Sequence, residues 1–213
     1  HAKQASFDAG RRFYMRQYRR MVDALGGTAH PLLKLEDLAA LAAPYYNVFA
    51  KGGEGHMEVA KNIYYTLHKK CHMVLSLKPF GCMPSTQSDG VQSAVMSHFK
   101  DMIFLPIETS GEGEVNAHSR VQMALGEART KARVEFQGAL ASTGRRLDDI
   151  AEYVARRPDL RHPFYHVPTH ADVTGTAANF VLHVHALMNR ERGRSVRLSG
   201  AAHRAGMSQP AAG

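Results

Sequence analysis

Apolar positions in the first part of the chain recur at helical spacing. Residues 4–25 carry large apolar side chains at such spacing and end at Gly26-Gly27, which predicts a first helix. A short helix is predicted over about 34–42. A third helix follows the Gly-rich turn 51–55, and its predicted buried stripe consists of Met57, Ala60, Ile63, Tyr64 and Leu67.

Two compact apolar runs, 72–77 and 102–107, interrupt this helical pattern. Neither alternates with polar residues, so both are predicted to be strands buried on both faces. The first is followed by a Gly/Pro-rich loop, 78–85, and then by a helix that begins at Ser88 or Asp89 and reaches about Phe99. The second is followed by an acidic loop and a long helix, about 115–141.

This order of elements predicts an α/β fold, a parallel-sheet Rossmann-like unit with flanking helices. Right-handed crossovers place the loops that follow parallel strands at the same edge of the sheet, where open α/β sheets bind ligands. Cys82 and the acidic loop from Glu108 to Glu114 are therefore expected to face one crevice.

The last third is predicted to contain helices over 145–157 and about 174–188, with a disordered basic tail after them. The predicted domains are a helical lead-in segment, 1–50, a cluster-bearing α/β domain, 51–188, and the tail, 189–213.

Charge is concentrated in two places. The chain of 213 residues has a net charge of +8, and half of the excess lies in the tail. A second group lies on the first helix: Arg11, Arg12, Arg16, Arg19 and Arg20. Neither comes with a nucleic-acid-binding module, so both are interpreted as solvated, with nucleic-acid binding as an alternative. No apolar run approaches the ~20 residues needed to cross a bilayer. The chain is therefore expected to be soluble and cytoplasmic.

The chain has two cysteines. Cys82 lies between Gly81 and Pro84 in a predicted loop, where a thiolate can act as nucleophile, redox centre or metal ligand. Cys71 precedes an apolar run and is interpreted as a core residue. Histidines recur at 162, 166 and 170, but the prolines between them prevent one continuous helical face, so a zinc site is not predicted.

Several of these segments together resemble a known family. The stretches 78–85, 88–93, 106–111 and 119–123 are similar to the C-terminal region of large CoA-substrate-specific enzyme activases, which are related to 2-hydroxyacyl-CoA dehydratases and double-cubane cluster proteins. The resemblance covers roughly 45–185. It implies an α/β domain that helps to hold a cubane-type [4Fe–4S] cluster, and electron transfer driven by ATP in an actin-like domain.

Residue by residue, the resemblance makes Cys82 an iron–sulfur ligand. Glu108 and Arg120 match positions of the family without an assigned role, and with Ser85 and Asp89 they are expected to shape the crevice. A cubane cluster needs about three or four thiolates, and no phosphate-binding loop is recognised. The other ligands and the ATPase are thus expected from an upstream domain or partner subunit, with an acyl-CoA as the expected substrate. The alternative is an enzyme that uses the Cys82 thiol directly.

Overall fold

A computed structural model describes residues 2–26, 32–50, 53–109, 113–170 and 172–206, with side chains as far as 192 in the last range. Helices dominate it. The elements in chain order are α1 (Ala2–Ala24), α2 (Leu35–Ala42), α3 (Gly55–Leu67), β1 (Val74–Pro79), α4 (Met83–His98), β2 (Phe104–Thr109), α5 (Glu114–Thr143), α6 (Leu147–Ala155), a 3-10 turn (Pro158–Arg161) and α7 (Thr176–Gly206). No helix in these described ranges is long and apolar enough to cross a membrane.

The chain divides into two compact units. The first consists of 1–33 and 157–166, and the second of 34–156 and 167–213. The residues of the predicted lead-in segment, 1–50, are shared between them, since α1 belongs to the first unit and α2 to the second. In the first unit α1 buries no side chain, and its five arginines from Arg11 to Arg20 are all exposed.

The sheet lies in the second unit and confirms the parallel arrangement. β1 pairs with β2 in parallel, in a register that runs from Val74 opposite Phe104 to Pro79 opposite Thr109, and α4 connects the two strands. Within the described residues the sheet has these two strands. Both strands therefore end at one edge, which we call the strand-end edge, as the sequence predicts.

The prediction of burial on both faces is wrong for β1, whereas none of residues 102–107, the apolar run that includes most of β2, is exposed. Leu75 is 37% exposed and Leu77 is 65% exposed, whereas Lys78 is only 4% exposed. Side chains of a strand alternate between the two faces of a sheet. In this two-stranded sheet one face of β1 lies against the helices. Lys78 is on that face, and Leu75 and Leu77 are on the opposite one.

The core of the second unit is formed mainly by α3 packing on α2 and α4. Val59, Ala60 and Ile63 of α3 are fully buried, as is Val95 of α4. The predicted stripe of α3 is thus correct at Ala60 and Ile63, but Leu67 is about half exposed.

Two helix boundaries differ from the predictions. Helix α4 begins at Met83, not at Ser88 or Asp89, so Pro84 and Ser85 belong to its first turn. Proline is tolerated there because the first amides of a helix have no partner within the helix. Helix α7 continues to Gly206, through part of the segment predicted to be disordered, while 207–213 lie outside the described residues, as does Glu112 of the predicted acidic loop.

Candidate functional site

Cys82 lies at the strand-end edge, at the junction of β1 and α4. It is the N-cap residue of α4 and has an extended backbone, with φ −66° and ψ 109°. Its amide donates to the Pro79 carbonyl oxygen at 3.2 Å, and Gly81 has φ +73°, which together form a tight turn. This turn requires positive φ at its third residue, and glycine adopts that conformation without a steric penalty. The turn brings the half-buried Cys82 side chain to the first turn of α4.

The sulfur of Cys82 is part of a hydrogen-bonded group that links α4 to α3. The Sγ atom lies 3.3 Å from the Ser85 hydroxyl, which lies 2.9 Å from Oε1 of Glu58. Oε2 of the same carboxylate accepts from the Ser88 hydroxyl. Ser85 and Ser88 are both buried, and Glu58 and Cys82 are partly exposed.

The number of hydrogen atoms determines the direction of these bonds. An ionised carboxylate only accepts, and a serine hydroxyl has one hydrogen to donate. With Glu58 ionised, Ser85 donates to Glu58, and the remaining contact is the Cys82 thiol donating to the Ser85 oxygen. When Cys82 is instead a thiolate, the Ser85 hydroxyl is the donor available to its sulfur. The arrangement thus accommodates both states of the sulfur.

The polar contacts between α3 and α4 continue beyond this group. Asn62 donates to the side-chain oxygen of Gln92 at 2.8 Å, and both residues are almost fully buried. The remaining amide atoms, Asn62 Oδ1 and Gln92 Nε2, are buried without a hydrogen-bond partner among the described residues. One side of the α3–α4 interface is therefore polar. The stripe of apolar residues predicted for α3 does not include Glu58 and Asn62, which form this polar side.

A second group at the strand-end edge surrounds the buried ammonium of Lys78. It forms an ion pair with Asp89, and Oε1 of Glu108 lies 3.9 Å from the same nitrogen. A carboxylate partner offsets the cost of burying a lysine charge. Lys78 is not among the residues selected from the sequence.

A cavity of about 300 Å³ opens beside this ion pair, lined by Lys78, Asp89, Glu108 and Arg120 together with parts of β2 and α5. The Arg120 guanidinium donates to the Pro106 carbonyl oxygen at 3.0 Å, which fixes α5 against β2. Three of the predicted crevice residues, Asp89, Glu108 and Arg120, therefore line one cavity.

Cys82 and Ser85 do not line this cavity. Ser85 faces Glu58 of α3, whereas Asp89, one helical turn later, pairs with Lys78 of β1. The five predicted site residues thus lie at one edge of the sheet but form two groups, one around the thiol and one around Lys78. The sequence pattern does not mark Glu58, Ser88 and Lys78 as site residues, although they connect the predicted residues to the rest of the fold.

The chain's own cysteines do not fit a complete iron–sulfur cluster. Cys71 and Cys82 lie beyond opposite ends of the six-residue strand β1, which spans about 16–20 Å. A cubane cluster takes about three or four thiolates, and this edge supplies one. Among the residues that the structure describes, no group of three or more His, Cys, Asp or Glu side chains is placed to hold a metal ion.

Cys71 has the environment expected of a structural thiol. It is half-buried, and burial raises the pKa of its thiol, with a backbone hydrogen bond from Met73 opposing the rise. A raised pKa keeps the sulfur protonated at neutral pH, which makes Cys71 a poor nucleophile.

Comparison with known proteins returns no relative: no family model, no curated protein and no solved structure matches this chain. The resemblance to the CoA-substrate-specific activases therefore stays a hypothesis that rests on the segments around Cys82.

Proposed function

We propose that this chain is one part of an iron–sulfur activase or reductase of the 2-hydroxyacyl-CoA dehydratase type. In this proposal Cys82 supplies one thiolate to a cluster whose other ligands come from a partner. Such a cluster would provide low-potential electrons for an acyl-CoA substrate. The partner would also carry the ATPase and extend the two-stranded sheet toward a Rossmann-like unit.

The observation that carries this proposal is the placement of the Cys82 sulfur. It sits at the N-terminus of α4, where the helix dipole favours negative charge, and beside a hydroxyl that can donate to it. Hydrogen bonds to cluster sulfurs and the local field are the means by which proteins adjust a cluster's potential. In this proposal Ser85 supplies the hydrogen bond, and the amides at the start of α4 supply the local field.

Reconstitution tests this proposal. The chain is purified without oxygen together with the products of neighbouring reading frames and is supplied with iron and sulfide. We expect a brown complex in which Cys82→Ala removes most of the bound iron, while the matched variant Cys71→Ala retains it. A complex in which Cys82→Ala keeps its iron and sulfide content would exclude Cys82 as a ligand.

A second candidate is a thiol enzyme, which the hydrogen-bonded group Cys82–Ser85–Glu58 favours. If the thiol donates to Ser85 and Ser85 donates to Glu58, one proton can move along the two bonds. This transfer leaves a Cys82 thiolate and a neutral Glu58, which is how an adjacent base activates a nucleophile. No metal is needed for this chemistry.

Alkylation of the isolated chain distinguishes the two candidates. If the thiol enzyme is correct, iodoacetamide should label Cys82 at pH 7 at least tenfold faster than Cys71. Glu58→Gln should remove most of that advantage, because its neutral amide is a weak base. The control is Glu108→Gln, a carboxylate at the same edge with no contact to the sulfur. Equal labelling of the two cysteines, or labelling unaffected by Glu58→Gln, would exclude the relay.

A further inference from the structure

A cavity of the second unit lies at the opposite end of the strands from Cys82. Its volume is about 370 Å³. The residues that precede β1 and β2 form part of its wall, and α5 and the loop before α7 complete it. Small-molecule sites commonly have volumes of this size, with an apolar lining and a few polar groups. We call it the amino-end cavity.

The apolar part of the amino-end cavity consists of Met73, Val74, Met102, Ile103 and Val134. Its charged groups are nearly balanced, since Lys69 and Lys131 face Asp101, Glu135 and Asp172. An apolar lining with nearly balanced charges favours an uncharged ligand, because a charged one would lose its hydration without gaining a dedicated counter-ion.

Glu135 is the best-satisfied polar group of this cavity. Its carboxylate accepts from the Thr174 amide at 2.6 Å and the Gly175 amide at 2.7 Å, and it contacts Nε2 of His72 at 2.9 Å. Burial by itself would raise the pKa of Glu135, but these three hydrogen bonds outweigh it and hold the pKa below its usual value. The carboxylate is therefore ionised at neutral pH.

An ionised Glu135 fixes the position of the proton on His72. The carboxylate can only accept, so the neutral imidazole must carry its hydrogen on Nε2. Nδ1 is then left with a lone pair, and it has no hydrogen-bond partner among the described residues. His72 thus offers a hydrogen-bond acceptor, oriented by Glu135, in the wall of the cavity.

The rim of the cavity includes an unusual backbone conformation. Lys69, just after α3, is the one non-glycine residue with positive φ in the described ranges, at +49°. In this region the Cβ atom of an L residue crowds the following carbonyl oxygen, so the conformation is strained. Such residues occur disproportionately at binding sites. Here the conformation places a long cationic side chain at the cavity.

We propose that the amino-end cavity is a binding site for a small uncharged molecule with an apolar body and a hydroxyl group, which donates a hydrogen bond to Nδ1 of His72. This site is independent of Cys82, which lies at the other end of β1. A ligand without a donor hydrogen, or with a carboxylate in place of the hydroxyl, leaves the Nδ1 lone pair unsatisfied.

Two probes of similar shape test the proposal with the full chain. Cyclohexanol has the required hydrogen, and methoxycyclohexane does not. Binding is followed by NMR of the methyl groups of Val74, Ile103 and Val134. We expect cyclohexanol to shift these signals saturably and to bind about five- to tenfold more tightly than the ether, the equivalent of one hydrogen bond.

A variant and its matched control complete the test. His72→Phe should bind the two probes equally, while the control His118→Phe, an exposed site on α5, should behave as wild type.

Three results would overturn the proposal: no saturable shift of these methyl groups, equal affinities for the two probes at neutral pH, or an alcohol preference that survives in His72→Phe. If His72→Phe does not fold, the pair of probes still decides the question in the wild type.

Discussion

Glu135 joins three segments of the second unit, and its removal is the sharpest test of how this unit is held together. The carboxylate on α5 binds His72 before β1 and the amides of Thr174 and Gly175 before α7. Glu135→Ala removes all three hydrogen bonds. A hydrogen bond to a charged group contributes about 1.5–3 kcal/mol, but water can reach the freed donors because the side chain is 20% exposed. We therefore expect a loss of about 2–4 kcal/mol in the free energy of unfolding.

Urea unfolding at pH 7, followed by circular dichroism, measures this loss. The matched control is Glu127→Ala, two turns earlier on α5, which removes an exposed ion pair with Lys131 at 3.6 Å. Such pairs contribute about 0.3–0.5 kcal/mol. Hydrogen exchange gives a local measurement, because the amides of Thr174 and Gly175 should exchange faster in Glu135→Ala.

The effect of Glu135→Ala should also depend on pH. Because the pKa of Glu135 is lowered in the folded state, its contribution is fully present above the unfolded value, about 4.3, and is lost as the pH falls through the folded value. The difference between wild type and variant should therefore shrink between pH 7 and pH 3. A Glu135→Ala protein within 0.5 kcal/mol of Glu127→Ala at pH 7, or a penalty unchanged at low pH, would refute this account.

Three further predictions concern packing, backbone conformation and thiol reactivity. Ile63→Ala should cost about 2–4 kcal/mol in urea unfolding because Ile63 is 1% exposed, whereas Leu67→Ala on the same helix, at 51%, should cost under about 1 kcal/mol. Gly144→Ala should lower the free energy of unfolding by about 1 kcal/mol, because Gly144 ends α5 with φ +63°. Gly138→Ala, inside α5 with open space around it, should raise that free energy by about 0.5–1 kcal/mol. Opposite results in thermal melts would contradict this. Cys71 should react with iodoacetamide mainly in alkaline solution, since the pKa of its thiol is raised, and rapid labelling at pH 7 would contradict the raised pKa.

The order and type of the elements could be predicted from the sequence because the spacing of apolar residues differs between helices and strands. The start of α4 could not be predicted, since Gly81 and Pro84 indicate a loop although the first turn of a helix also accepts proline. The pattern of apolar positions also does not predict which side chains of β1 are buried. An apolar run indicates a strand, but not how many strands lie beside it, so it does not predict the exposure of Leu77 or the burial of Lys78.

The candidate site could be predicted in part, for similar reasons. Parallel strands bring their ends to one edge, and this rule brings Cys82 and Glu108 to the same edge. The sequence does not mark Glu58 as a site residue, because a lone glutamate on an amphipathic helix is normally solvated. The available signal was its spacing to Asn62, one helical turn away, which sets two polar side chains on the same side of α3.

The position of the two sulfurs also governs how this protein responds to oxidation. A disulfide requires Cα atoms about 4.4–6.8 Å apart, and the whole length of β1 separates Cys71 from Cys82. An oxidant therefore cannot crosslink the folded chain to itself. A disulfide can therefore only join the folded chain to a second molecule, so non-reducing electrophoresis should show mixed disulfides or dimers, and no faster-migrating monomer.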